Sequence, residues 1–229
     1  MKILAIDTAT EACSAALYID GEISAEYELA PREHTQLILP MLDRLLNAAG
    51  IGISQLDALS YARGPGAFTG VRIAAGVIQG LSYAAEIPVL PVSTLAAIAA
   101  GVFEQHGHRD ILTAIDARMG EVYWAAYRVE AGCVSLQGRE LVSSVENLPQ
   151  AEAGSWAGAG SGWSAHKASL TEKYGIEASM IYADYLPSAE SIVQLAAADY
   201  QLNKQMPAHQ AQPVYLRDNV AKKKQNQSK

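Results

Sequence analysis

One apolar phrase occurs twice in the chain, and that repeat limits what the chain can fold into more than any other feature. Ile3-Leu4-Ala5-Ile6-Asp7-Thr8-Ala9 returns as Ile111-Leu112-Thr113-Ala114-Ile115-Asp116-Ala117. Each copy reads as a buried strand ending in an aspartate, and each runs on through strand-like residues to a turn, Asp20-Gly21 in the first copy and Glu130-Ala131-Gly132 in the second. Two sheet-based units facing one another across a cleft would put Asp7 and Asp116 at equivalent strand ends. Chance likeness between two apolar strands is the competing reading.

The stretches between the repeats fill in the units. Lys2 to Asp7, Ala12 to Ile19 and Glu22 to Leu29 predict three antiparallel strands, the last two joined as a hairpin. Leu37, Ile38, Met41, Leu42, Leu45, Leu46 and Ala49 recur at helical spacing up to Gly50. A strand over Leu56 to Ala62, a helix over Val71 to Ala85 and a strand over Pro88 to Val92 follow, and Ser93 or Thr94 caps a helix to about Glu104. This order predicts a mixed five-stranded sheet flanked by helices. The polar run Gln105-His106-Gly107-His108-Arg109 suggests a boundary, giving halves at 1–104 and 105–217. In the second half a strand from Cys133 to Val142, an apolar Ser155 to Ala159, a helix near Trp163 to Tyr174 and a helix from Ser188 to about Leu202 are expected. Residues 218–229 carry Lys222, Lys223, Lys224 and Lys229 without apolar periodicity, so a frayed, flexible basic tail is expected there.

Composition narrows the function. Half of the 229 residues are hydrophobic and 18% are charged, which fits an ordinary globular protein. A net charge of −7 argues against unaided binding to nucleic acid, since gripping phosphates needs lysine and arginine. Cys13 and Cys133 stand far apart, without metal-ligand spacing, so a reducing, cytoplasmic setting is expected. A charge at Lys2 and another at Asp7 leave no room for a leader's apolar region, and the fold is expected to begin at once.

The most distinctive local stretch is Arg63-Gly64-Pro65-Gly66-Ala67-Phe68-Thr69-Gly70-Val71-Arg72. It lacks the lysine of a Walker A loop and the glycine spacing of a dinucleotide fingerprint. A tight turn against another backbone and an anion site at a helix start are both open. On the following helix Gly76, Gly80 and Ala84 share a face, one turn beyond Arg72. Together Leu37, Met41, Leu45, Ile73, Val77 and Leu81 offer more apolar surface than one sheet face can bury, which leaves a surplus for a partner helix bundle.

The glycine loop, the opening Ile6-Asp7-Thr8-Ala9-Thr10, Glu33-His34-Thr35, Pro91-Val92-Ser93-Thr94-Leu95 and the closing Pro213-Val214-Tyr215-Leu216-Arg217 together resemble the TsaB family, also called YeaZ. The likeness runs from Ile3 to about Lys224. It implies an α/β fold of two ribonuclease-H-like halves, the architecture of actin, sugar kinases and heat-shock ATPases. It also implies a role in tRNA modification, in which TsaB works with the related TsaD and the ATPase TsaE to place threonylcarbamoyl on the adenosine beside the anticodon. In that scheme TsaD is catalytic. TsaB is its partner, reaches tRNA only through the complex, and also forms a homodimer through the same N-terminal helices. The interface then comprises Leu37, Met41, Leu45, Arg72, Ile73, Gly76, Val77, Gly80, Leu81 and Ala84.

The rival is an autonomous nucleotide-dependent ATPase, kinase or glycoprotease-like enzyme of the same fold. Where the TsaD relatives have His-x-x-x-His, this chain has Thr94 and Ile98, neither able to replace an imidazole on a metal, so no metal and no cofactor is expected. His34 stands alone, and His106 with His108 lack a third ligand. A nucleotide would meet Asp7, Thr8 and Thr10 on one side and Gly158 and Gly160, of Gly158-Ala159-Gly160-Ser161-Gly162, on the other, with Ala9 where a phosphate-binding loop often uses glycine. Vestigial geometry is the expectation. Arg118 is placed to balance Asp116, and Cys13 to serve as a small buried hydrophobe.

Overall fold

The computed structural model describes residues 1–152 and 154–217. The basic tail expected at 218–229 lies outside them. The first half opens with β1 (Lys2–Asp7), β2 (Ala12–Ile19) and β3 (Glu22–Leu29), then α1 (His34–Ala49), β4 (Ala58–Gly64), α2 (Phe68–Ala85), β5 (Val89–Ser93) and α3 (Thr94–His106). The second contains β6 (Asp110–Arg118), β7 (Glu121–Glu130), β8 (Cys133–Ser144), β9 (Trp156–Ala159), α4 (Ser161–Ala165), α5 (Lys167–Tyr174) and β10 (Ile181–Tyr182), and α6 (Ala189–Gln201) follows.

The two sheets have one plan. The first runs β3-β2-β1-β4-β5 and the second β8-β7-β6-β9-β10, each with an antiparallel meander of three strands and two parallel strands beyond its first. This is ribonuclease-H-like order, twice. The repeated phrase supplies the central strand of each sheet, β1 and β6, and Asp7 and Asp116 come at their C-terminal ends.

Strand periodicity sorts the core. Leu4 and Ile6 face Ile38, Met41, Leu45 and Ile78 of α1 and α2, while Ile3 and Ala5 face the opposite layer. α1 stops at Gly50, which takes the left-handed conformation at φ 66° and donates to the carbonyls of Leu46 and Asn47. Ser93 caps α3, its Oγ accepting from the amides of Leu95 and Ala96. From Leu95 to Val102 α3 is apolar and largely buried on all sides, while Glu104 to His106 are exposed: Ala97 packs toward the first sheet, and Leu95, Ile98 and Val102 toward the second.

The packing departs from the expected division at 104/105. α6 carries Ala189, Ile192, Val193 and Ala196 onto the first sheet beside Ile3, Ala5 and Ala16, because that face has an uncovered apolar surface. The chain then stays with the first half. Val89 and Met206 exchange amide hydrogen bonds of 2.8 Å, and Ala211 is fully buried in the α1–α2 core. The helix expected near Trp163 to Tyr174 is two short helices, broken at His166.

Candidate functional site

β1 ends in a loop, Thr8 to Glu11, that the glycine loop covers. The Ala67 amide donates to the Ala9 carbonyl at 2.8 Å, and the Thr8 hydroxyl donates to the Gly70 carbonyl at 2.7 Å. A Cβ on Gly66 would strike the Ala9 carbonyl oxygen, and one on Gly70 that of Thr8. Of the two open readings of this loop, a turn seated on another backbone is the one the contacts describe. His34 completes the corner: it is buried, and its Nε2–H donates to the carbonyls of Thr10 at 2.9 Å and Ala12 at 3.2 Å. That is a packing role.

Asp7 is fully buried behind this loop. Its Oδ1 accepts from the Ala9 amide at 2.7 Å, while Oδ2 has no hydrogen-bond partner among the described residues. Burial pushes its carboxyl up to about 7, against the backbone N–H groups of Ala9 and Thr8, which pull it down. The Thr10 and Thr94 hydroxyls are buried without partners as well. Of Thr94 and Ile98, the two positions weighed as metal ligands, the first is fully buried and the second is 1% exposed, in the apolar layer between the sheets. Among the described residues no three His, Cys, Asp or Glu side chains gather as a metal site would require.

Between the halves lies a cleft of about 1050 Å³, walled by Thr10, Gly66, Phe68 and Arg72 on one side and Asp116, Tyr123 and Ser161 on the other. Of the five residues expected to meet a nucleotide, Thr10 alone borders it; Asp7, Thr8, Gly158 and Gly160 sit behind the wall. The Trp163 ring occupies the space over Gly158, so closely that a Cβ there would overlap it, and its Nε1–H donates to the Leu112 carbonyl at 2.9 Å. Gly160, at φ 101°, lies against the Ala114 carbonyl. Asp116 is occupied too. Its Oδ1 accepts from the Arg118 amide at 2.9 Å and its Oδ2 pairs with the Arg118 guanidinium at 3.1 Å. His106 stacks on Tyr182 with ring centroids 4.0 Å apart, and His108 Nε2 lies 2.8 Å from the same tyrosine's hydroxyl. Cys13 is fully buried in the α1–α2 core, as a small hydrophobe.

The outer face of α2 is built differently. Arg72, Gly76, Gly80 and Ala84 are exposed, and among the described residues nothing stands within 4 Å of where a Cβ on Gly76 or Gly80 would be. Ile73, Val77 and Leu81 are partly buried at the margins of that face, and Leu37 of α1 is partly buried against the first half's core. Met41 and Leu45, expected there also, are 2% and 6% exposed and belong to the chain's own core. In their place stand Tyr83 at 83%, Phe68 at 67% and Leu39 of α1 at 51% exposure. Sequence reasoning missed Leu39 and Tyr83 because they fall off the main apolar stripe, and Phe68 because the helix was expected to begin only at Val71; an apolar side chain on a helix's polar side was the available signal for the first two. Arg72 lies over the Phe68 ring, its guanidinium carbon 3.2 Å from the ring centroid.

Comparison with known proteins gives this arrangement its relatives. Residues 25–225 match the family model described as TsaD, tRNA N6-adenosine threonylcarbamoyltransferase. The chain is 46% identical to the tRNA threonylcarbamoyladenosine biosynthesis protein TsaB of Escherichia coli, over 98% of both chains. It is 41% identical to the TsaB of Haemophilus influenzae, over 98% of this chain and 97% of that one. Among solved structures, YeaZ from Pseudomonas aeruginosa superposes with a TM-score of 0.87 at 44% identity, covering 94% of this chain and 99% of the other. With the doubled sheet, the seated glycine loop and full-length similarity in agreement, the chain belongs to the TsaB (YeaZ) family.

Proposed function

We propose that this protein acts in tRNA threonylcarbamoyladenosine biosynthesis as a non-catalytic subunit that binds a TsaD-type partner through the outer face of α2. The observation that carries this reading is the open strip over Gly76, Gly80 and Ala84, flanked on α2 by exposed Phe68 and Tyr83, with Leu39 exposed on α1. Small residues in a row admit a second helix at close range, and the aromatic and aliphatic groups around them give it apolar area to cover. Self-association uses the same face and competes with TsaD for it. The residues on the cleft side support a positioning role: the space over Gly158 is filled by Trp163, Asp116 is paired with Arg118, and neither Thr94 nor Ile98 offers a metal an imidazole.

Transfer of threonylcarbamoyl to N6 of adenosine then belongs to TsaD, and TsaE serves the complex rather than this chain alone. tRNA is reached through the assembly, consistent with a net charge of −7. Gly80→Leu tests the interface, since it places a bulky side chain in the strip while leaving the core untouched. Titrated against TsaD, that variant is expected to lose complex formation with the free chain's melting temperature unchanged. Wild-type affinity in the variant would overturn the assignment of the face.

A further inference from the structure

The polar ties between the halves converge just ahead of α2. Arg63, the penultimate residue of β4 and the first of the glycine-loop stretch, donates from its guanidinium to Glu140 Oε2 at 2.9 Å, and Glu140 comes from β8 of the second sheet. The Glu140 side chain is only 7% exposed. Its other oxygen accepts from the Tyr127 hydroxyl at 2.8 Å, and that hydroxyl lies 3.3 Å from Oγ of Ser93, the α3 cap. A charge buried to this degree depends on its partners, so loss of either member leaves the other uncompensated.

The main chain of Arg63 is held from a second direction. Its carbonyl accepts from the Val214 amide at 2.8 Å. Val214 belongs to an extended strap that leaves the first half after Ala211, takes the Tyr61 hydroxyl on its Gln212 carbonyl at 3.1 Å, and crosses the mouth of the cleft. Its far end is latched to the second half. Arg217 donates to the Ala117 carbonyl at 3.1 Å and pairs with Glu121, on either side of the β6–β7 turn. Between these points the Tyr215 ring approaches Phe68, with centroids 6.4 Å apart, and the Arg72 guanidinium lies 4.9 Å from it.

α2 needs such support because nothing in its own sequence caps it. The N-cap position is Ala67, with no side-chain hydrogen bond, so the order of the first turn depends on what grips the loop before it. We infer that Arg63, Glu140 and Arg217 are positioning residues through which the second half fixes the first turn of α2 and, with it, the presentation of the partner face. The inference deepens the proposed function and rests on it for its consequence, though not for its structural content.

Hydrogen exchange on the full chain tests it without a partner. In Arg217→Ala and in Glu140→Gln, the amides of Val71 to Ala74 are expected to exchange on the order of tenfold faster, as for a turn that has lost a charge-assisted tether. Those of α1 remain at their wild-type rates. Arg217→Lys, which keeps the charge, restores most of the protection. Affinity for TsaD falls several-fold in the first two variants and recovers in the third. The inference is overturned if both variants loosen only residues 117–121 and 212–217, with Val71 to Ala74 exchanging as in the wild type. Gly80→Leu separates the two ideas: wild-type TsaD binding by that variant removes the partner reading, and the exchange pattern then decides the tether by itself.

Discussion

Asp7 shows how a residue can keep its place in a fold while its surroundings change its chemistry. It closes the central strand of the first sheet, fully buried, with one oxygen unpartnered, and burial raises it from 3.8 to about 7. The folded protein therefore binds this proton more tightly than the unfolded chain. The stabilisation is complete below the unfolded value near 4 and is lost as pH rises through 7. Asp7→Asn is expected to remove that dependence. By chemical denaturation the variant should gain stability relative to wild type between pH 5 and pH 8, by a few kcal/mol at the upper end; parallel pH profiles would show that the carboxyl is ionised and satisfied in the fold. Gly70 makes a second residue-scale case. A methyl group there meets the Thr8 carbonyl, so Gly70→Ala should cost about 1–3 kcal/mol, the usual range for overpacking. A thermal melt equal to wild type would mean the two loops are not seated on one another.

Among the elements, α2 carries the proposed partner face. Its buried side, Val71, Ala74, Ala75 and Ile78, belongs to the core, and its outer side leaves glycines under open space. Gly76→Leu is expected to shift a homodimer to monomer in sedimentation without altering secondary structure; an unchanged sedimentation coefficient at matched concentration would place self-association elsewhere. The small-residue strip was legible in the sequence, because i, i+4 and i+8 define a face without reference to the rest of the chain. Leu39, Phe68 and Tyr83 were not. Leu39 and Tyr83 lie off the apolar stripes, Phe68 precedes Val71, where the helix was expected to begin, and only the tertiary packing shows that Met41 and Leu45 turn inward while these three do not. Glu140 was equally hidden. It sits in a strand whose sequence gives no sign that its neighbour in space is Arg63, from the other sheet.

Across the whole molecule, the duplicated phrase predicted both central strands and the equivalence of Asp7 with Asp116, because a buried strand writes itself as a continuous apolar run. Connectivity between the halves was less legible. Nothing local to Ala189–Gln201 says which sheet its apolar stripe will cover, and the helix returns to the first sheet because α3 already occupies the matching face of the second. The result is a molecule whose halves share one helix and are tied by a strap, with a cleft between them and the open outer face of α2 to one side. Catalysis by a partner is the reading that suits this division. Threonylcarbamoyl transfer to unmodified tRNA, measured with TsaE and threonylcarbamoyl-AMP present, tests it directly when run with this chain alone, with TsaD alone and with both. Modification only in the combined reaction is the predicted result, and turnover by this chain without TsaD would contradict it.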